Sequence, residues 1–118
     1  MTLLEEDKRV FELHARICRT LAHPKRLEIL NLLRQGELSV SQLAERMGIS
    51  LANVSQHLAI LRDREVVMAR REGVNVYYRV ADPRIIQACN LMRDVLFEQL
   101  ARSGQLVEIV REESRADG

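Results

Sequence analysis

Apolar residues recur at helical spacing over two stretches at the start of the chain. The first predicts a helix over residues 4–21, with one apolar row at Val10, Leu13, Ile17 and Leu21. The second predicts a helix that begins at or near Pro24, because a proline is well tolerated in the first turn. Gly36 follows its last apolar residue, so this helix ends before Gly36.

The next stretch predicts two short helices joined by a tight turn. Ser39 and Gln42 have the spacing of a capping box, in which each side chain bonds the other residue's backbone N–H. Gly48 suits the left-handed position that ends such a helix. Ser50 then caps a further helix over residues 51–62. Two short helices with a glycine between them predict a helix-turn-helix.

Beyond this motif the pattern changes to that of strands, and then returns to that of a helix. Residues 66–72 alternate and residues 76–80 are rich in β-branched and aromatic side chains, so they predict a β-hairpin that turns at Gly73. Asp82 and Pro83 are typical of an N-cap and a first helical position. The helix that follows can extend through Val107 and Val110. Its apolar seam is Ile85, Cys89, Met92, Leu96 and Leu100.

This order defines a fold class that is mainly α with a small β-hairpin, α-α-α-α-β-β-α, which is a winged helix-turn-helix. We expect one domain over residues 1–113, with DNA-binding and dimerisation surfaces, and a flexible tail over residues 114–118. The chain of 118 residues is long enough for one modest core. No apolar run spans a bilayer and the first twenty residues are charged, so we expect a cytoplasmic protein with no membrane partner.

Charge and surface chemistry indicate what such a fold would bind. The net charge is only +1, but basic residues concentrate at 19–34 and 62–79 while acidic residues gather at both ends. Such a distribution fits phosphate contact by one face, and it also fits an ordinary solvated surface. Within residues 51–62 three apolar side chains share one face, which leaves a small and polar face outside. That outer face comprises Ala52, Asn53, Ser55, Gln56 and Ala59.

We predict that this outer face enters the major groove of double-stranded DNA. Asn53 and Gln56 are the candidates for base contact, because their amides can pair bidentately with adenine. The predicted phosphate contacts in and beside this helix are Ser50, Ser55 and Arg62. On the hairpin, the predicted contacts with the DNA backbone or the minor groove are Arg70, Arg71, Asn75 and Tyr77. His57 flanks the inner face, so it is either a partly buried histidine or a further DNA contact.

Two other classes of function compete with DNA binding for such a fold. A winged helix can serve as a protein-interaction module without small-molecule sensing, but it would not need a small, polar face at residues 52–56. An enzyme would need a nucleophile with its base, a phosphate loop or paired carboxylates, and we find none of these motifs. The three histidines, His14, His23 and His57, lie on different predicted helices.

About residues 10–100 resemble the ArsR/SmtB family of bacterial winged-helix repressors. The resemblance rests on four segments taken together, namely LAHPKRLEIL at 21–30, GELSVSQLA at 36–44, VSQHLAILR at 54–62 and VYYRV at 76–80. It implies a homodimer built from the first and last helices, which agrees with the apolar seam of the last helix. It further implies a near-palindromic operator and repression that an inducer relieves.

The chain departs from this family's pattern at the positions of its metal sites. Metal-sensing members carry Cys-Val-Cys where this chain has Ser39-Val40-Ser41, and hydroxyls are poor ligands for soft metals. The family's other site would fall on Asp82, Arg84, Val95 and Glu98, so both of its usual histidines are missing. Glu65 also stands where a glycine is common after the recognition helix.

The remaining candidates for a sensor are Cys18 and Cys89. They lie on the first and last helices and could form a disulfide or polysulfide bridge, or bind a thiophilic metal or metalloid as inducer. His14 precedes Cys18 by one helical turn, so the speculative metal ligands are His14, Cys18 and Cys89. The alternative is that both cysteines are core residues, since free cysteine packs like a small hydrophobe.

Overall fold

The computed structural model describes residues 7–104 together with residues 109 and 112. Its elements confirm the predicted order and fold class, with one strand added. They are α1 (Lys8–Leu21), α2 (Pro24–Leu32), a 3₁₀ turn (Leu33–Gln35), β1 (Leu38–Ser39), α3 (Val40–Met47), α4 (Leu51–Asp63), β2 (Val67–Glu72), β3 (Asn75–Val80) and α5 (Pro83–Ser103). The predicted start of the first helix at residues 4–6, the extension through Val107 and Val110, and the tail at 114–118 lie outside the described residues.

Side-chain caps set the starts of the first two helices. The Asp7 carboxylate accepts a hydrogen bond from the Arg9 N–H at 2.9 Å, which begins α1. His23 caps α2, where its Nδ1 accepts from the Lys25 N–H at 3.1 Å and Pro24 occupies the first turn. Asp and Asn usually fill this position, so an imidazole cap was not predicted.

The helix-turn-helix forms as its capping residues predict. Ser39 Oγ accepts from the Gln42 N–H at 3.1 Å, and Gln42 Oε1 accepts from the Ser39 N–H at 2.8 Å. Gly48 adopts a left-handed conformation with φ of 67°, so α3 can end and the chain can turn. Ser50 Oγ then accepts from the Asn53 N–H at 3.1 Å at the start of α4.

The hairpin is the predicted one, but it belongs to a three-stranded antiparallel sheet of order β1-β3-β2. Glu72 pairs with Asn75 across a two-residue loop, and Gly73 has φ of 62° at its first position. That is the position where tight hairpin turns favour glycine. The two residues of β1 pair with Tyr78 and Tyr77. A strand this short leaves no periodicity in the sequence, so it was not predicted.

Contacts divide the chain into two compact units, one up to Ile86 and the other from Gln87 onward. In the first unit the core lies between the helices α2, α3 and α4 and the start of β2. Its fully buried side chains are Ile29, Leu30, Leu43, Val54, Leu58, Leu61 and Val67. In the second unit the described part of α5 has no buried residue.

Candidate nucleic-acid interface

Helix α4 separates a buried apolar side from an exposed polar side. Val54, Leu58 and Leu61 are completely buried against the rest of the first unit, and they fall at the predicted spacing of four and three residues. The exposed residues between them include the predicted reading positions Ala52, Asn53, Ser55, Gln56 and Ala59. This side of α4 therefore presents amides, a hydroxyl and methyl groups to solvent, which are the groups that read base edges in a major groove.

Two of the predicted phosphate contacts, Ser50 and Arg62, lie at opposite ends of α4. The Ser50 hydroxyl accepts a hydrogen bond as the N-cap, so it could still donate its own proton to a phosphate. Arg62 is exposed in the last turn of α4.

An open cleft separates the start of α4 from the tip of the hairpin. Its volume is about 280 Å³, and its walls are the first turn of α3, Leu51 and Ser55 of α4, and residues 74–76 of the hairpin. Val74 at the tip is 99% exposed. The structure thus brings one predicted contact from α4 and one from the hairpin, Ser55 and Asn75, to the lining of one cleft.

Arg70 of β2 is held by two carboxylates and an aromatic ring. Its Nε and Nη2 donate to the Glu37 carboxylate at 3.1 and 3.0 Å, and its Nη1 donates to Glu72 at 2.8 Å. The guanidinium carbon lies 5.0 Å from the centre of the Tyr77 ring. The Arg70 guanidinium lowers the pKa of Glu37 through these hydrogen bonds.

Sequence reasoning missed Glu37, because 33 residues separate it from Arg70 and only the pairing of β1 with β3 brings them together.

The other predicted hairpin contacts, Arg71, Asn75 and Tyr77, are not held by carboxylates as Arg70 is. Arg71 and Asn75 are exposed, and Arg71 forms no ion pair with any described residue. Tyr77 is half-buried beneath Arg70.

His57 lies at the junction of α4 and α2 instead of pointing fully to solvent. Its ring lies 4.5 Å from that of His23, centre to centre, and the rings are inclined by 54°. His57 is half-buried, and its Nδ1 has no hydrogen-bond partner among the described residues. Burial lowers the pKa of His57, and the neighbouring His23, Arg26 and Lys25 lower it further.

The exit from α4 is made by a residue in a conformation that favours glycine. Glu65 has φ of 60°, and no other described non-glycine residue has a positive φ. Its N–H donates to the Arg62 carbonyl at 2.9 Å, and the Val66 N–H donates to the Leu61 carbonyl at 2.9 Å. These two bonds are those of a Schellman motif. The turn after the recognition helix thus keeps this geometry with glutamate in place of glycine.

Cys18 and Cys89 are both free thiols. Cys18 is exposed on α1, as is His14, whereas Cys89 is half-buried on α5 and its pKa is raised by that burial. Among the described residues, no three His, Cys, Asp or Glu side chains come together as a metal ion would require. In the same part of the chain, no helix is both long and apolar enough to cross a bilayer.

Large apolar side chains are exposed on both α1 and α5. On α1 they are Phe11, Leu13 and Ile17. On α5 they are Leu91, Met92, Val95, Leu96 and Phe97, with Met92 exposed by 68%. Of the predicted dimer seam, Met92 and Leu96 are exposed, while Ile85, Cys89 and Leu100 are half-buried. Two apolar faces of this size are unusual for surface helices.

Comparison with known proteins identifies the class to which this fold belongs. The profile of the family described as "Bacterial regulatory protein, arsR family" matches residues 23–68. The HTH-type transcriptional regulator Rv0081 of Mycobacterium tuberculosis is 36% identical over 107 residues, which cover 90% of this chain and 94% of that protein. The biofilm growth-associated repressor of Xylella fastidiosa is 33% identical over 99 residues, covering 84% and 86%.

Solved structures agree with this assignment. The crystal structure of Rv0081 superposes with a TM-score of 0.73 at 38% identity, over 80% of this chain and 95% of the other. The solution structure of the homodimeric winged helix-turn-helix DNA-binding domain of Mb0332 from Mycobacterium bovis gives a TM-score of 0.73 at 34% identity, over 85% and 93%.

The family model and the solved relatives show that this fold is that of a winged helix-turn-helix transcriptional regulator. The chain belongs to the arsR family of bacterial regulatory proteins.

Proposed function

We propose that this protein is a homodimeric repressor that binds a near-palindromic DNA operator in a sequence-specific manner. The observation that carries the proposal is the exposed polar side of α4, where Asn53 and Gln56 lie opposite a completely buried apolar side. A helix fixed in this way by its inner side can present the same few side chains to base edges each time it binds.

The exposed apolar faces of α1 and α5 support the dimer. Each face would lose water-exposed area if a second copy covered it, and burial of apolar surface is the main favourable contribution to association. The Mycobacterium bovis relative is described as homodimeric. In a two-fold dimer the two α4 helices would meet half-sites about one helical turn of DNA apart, which is why the operator is expected to be near-palindromic.

Replacement of Gln56 by alanine tests the reading role of α4. We expect Gln56→Ala to weaken binding to the operator by about 5- to 150-fold, which corresponds to about 1–3 kcal/mol for one bidentate base contact. Binding to random DNA of equal length should change little, because phosphate contacts dominate it. Fluorescence anisotropy with a fragment from the protein's own upstream region measures both affinities.

The matched control is Gln87→Ala, which truncates another exposed glutamine on α5. It should leave both affinities unchanged. An equal loss of operator and random-DNA binding in Gln56→Ala would remove Gln56 from the list of base contacts. A wild-type protein that binds the operator no better than random DNA would overturn the proposed function itself.

The inducer, in this proposal, acts through the thiols as an oxidant, a reactive sulfur species or a thiophilic metal or metalloid. Cys18 is the thiol favoured to react first, because it is exposed. The raised pKa of Cys89 leaves less of it as the reactive thiolate. With a metal as inducer, His14 would add an imidazole one turn from Cys18.

Operator binding by reduced protein and by protein treated with diamide or polysulfide tests thiol sensing, with parallel titrations of Zn(II), Cd(II) and As(III). Release by oxidant that Cys18→Ser or Cys89→Ser abolishes would establish a thiol switch. If only a metal releases the operator, and His14→Gln abolishes that release, His14 would join the cysteines as a metal ligand. No release under any treatment would show that neither cysteine senses an oxidant, a reactive sulfur species or one of these metals.

A further inference from the structure

We propose that Arg70 is a positioning residue, which holds the hairpin against the entrance of the helix-turn-helix and thereby sets where the hairpin meets DNA. From the sequence, Arg70 was predicted as a direct DNA contact. The positioning role rests on the proposed DNA-binding function, and it assigns to Glu37 a role that no sequence motif indicated.

The guanidinium of Arg70 joins the hairpin to the segment that precedes β1. Two of its nitrogens grip the Glu37 carboxylate, which lies two residues before Ser39, the N-cap of α3. A third nitrogen holds Glu72 at the end of β2, and the face of the guanidinium covers Tyr77 of β3. Bidentate pairing fixes the orientation of an arginine as well as its distance, which a single ion pair does not.

The hydrogen bonds of Arg70 argue against a phosphate contact at this position. Arg79 also lies near Glu37 and lowers its pKa, so the cluster has no net negative charge that would repel DNA. All three guanidinium nitrogens of Arg70, however, already donate to one of two carboxylates. A phosphate would have to displace one of them. Arg71, the next residue of β2, is exposed and forms no ion pair with any described residue, so it is the better cation for the DNA backbone.

Arg70 and Tyr77 pair with each other where β1 ends, and Glu72 lies beside the turn of the hairpin. Residues 74–76 of the hairpin line the same cleft as Leu51 and Ser55 at the start of α4. The strand β1 pairs only with Tyr77 and Tyr78, so the hairpin continues past Arg70 as two strands without a third. The direction of this two-stranded part depends on what fixes the residues where β1 ends. Holding Arg70 to Glu37 therefore fixes the span between the hairpin tip and the reading helix.

The decisive test is whether Glu37→Gln raises or lowers the affinity for the operator. Removing a negative charge from a DNA-binding surface raises affinity for DNA if charge alone matters. We expect the opposite here, a loss of operator affinity of about 3- to 10-fold, because the amide cannot hold the guanidinium as the carboxylate does. The matched control is Glu45→Gln, which makes the same charge change at an exposed position of α3 and should bind at least as tightly as wild type.

Substitutions of Arg70 complete the test. We expect Arg70→Gln and Arg70→Lys to lose affinity to a similar extent, since lysine keeps the charge but cannot hold two carboxylates in a planar fork. Arg70→Gln combined with Glu37→Gln should lose no more than either alone. The salt dependence of binding should stay at the wild-type slope in Arg70→Gln, whereas Arg71→Ala should lower the slope by about one.

A backbone amide spectrum of free Glu37→Gln should show shifts at residues 73–76, and its thermal midpoint should stay near that of wild type. The proposal is overturned if Glu37→Gln binds the operator as tightly as Glu45→Gln does, or if Arg70→Gln lowers the salt slope while Arg70→Lys binds normally. Either result would make Arg70 a phosphate contact. Both differ from failure of the proposed function, in which wild-type protein does not prefer the operator.

Discussion

At the residue scale, His57 shows how one side chain can connect the reading helix to its support. Its ring packs on His23, the residue that caps α2, so α4 and the start of α2 share an imidazole contact. His23 can cap α2 only while its Nδ1 carries no proton, because that nitrogen accepts the Lys25 N–H. Protonation of the His57 ring would place a cation near Lys25, Arg26 and the ring of His23.

This contact predicts a loss of stability on acidification. Because the pKa of His57 is lower in the folded protein than its ordinary value of 6.5, the unfolded chain binds the proton more readily. The contribution of His57 is therefore complete above about pH 6.5 and is lost as the pH falls through the folded-state pKa. We expect His57→Phe, which keeps a ring against His23, to show a smaller fall in thermal midpoint between pH 7 and pH 5.

Thermal unfolding followed by circular dichroism at each pH measures this effect. The control is His14→Gln, which removes an exposed histidine of α1 and should leave the wild-type pH dependence in place. An identical pH dependence in wild type and His57→Phe would mean that other groups account for the acid response.

At the element scale, the ends of α3 and α4 use the same turn with different residues. Both helices end on a left-handed residue, which is Gly48 after α3 and Glu65 after α4. A side chain in this conformation is strained, since its Cβ approaches the backbone carbonyl. The Schellman hydrogen bonds and the burial of Val66 hold Glu65 there against its own preference.

Glu65→Gly should therefore stabilise the protein. We expect a gain of about 1 kcal/mol in the free energy of unfolding, because relief of the strain exceeds the added freedom of glycine in the unfolded chain. Urea unfolding measures it. Glu45→Gly, within α3, serves as the control and should instead cost about 1 kcal/mol. A destabilised Glu65→Gly would show that the glutamate side chain makes a favourable contribution larger than the strain.

At the scale of the whole molecule, the exposed apolar faces of α1 and α5 predict that the functional unit is larger than one chain. Helix α5 has no buried residue among those described, yet much of its surface is apolar. Such a helix gains little stability from its own chain, and a second copy is the partner that the proposed operator symmetry requires.

Leu96→Glu should separate the dimer and abolish tight operator binding. A charge on a buried interface loses its water without gaining a partner, which is a large cost for association. Sedimentation or light scattering gives the mass, and anisotropy gives the affinity, which we expect to fall at least 100-fold.

The control for that experiment is Gln87→Glu on the same helix. Nine residues separate it from Leu96, about two and a half turns, so the two side chains lie on opposite sides of α5. Gln87→Glu should remain dimeric. A dimeric, fully active Leu96→Glu protein would place the interface elsewhere.

Much of the fold could be predicted because local chemistry determines it. The capping box of Ser39 and Gln42, the glycines at 48 and 73, and the buried spacing of Val54 within α4 all occur where the sequence placed them. These features need only neighbours a few residues away. The strand β1 and the His23 cap were not predicted, because neither leaves a periodic pattern or a preferred residue type.

The candidate site likewise combines local features, which the sequence predicts, with contacts between distant residues, which it does not. Which side of α4 is exposed was predictable, since helical periodicity alone sorts inner from outer residues. The roles of Arg70 and His57 were not, because each depends on a contact made by a residue more than thirty positions away. Two adjacent arginines in β2 look alike in the sequence. Only the pairing of β1 with β3 brings Glu37 to Arg70, while Arg71 forms no ion pair with any described residue.

By itself, then, the sequence determined the order of the helices and the hairpin, the caps of α3 and α4, the turns at Gly48 and Gly73, and the polar side of the reading helix. These features depend on interactions within one or two turns of chain. The tertiary structure alone decided which charged and aromatic side chains are held by distant partners. Such contacts arise only when strands pair and helices pack, and no local pattern encodes the residue that will lie opposite.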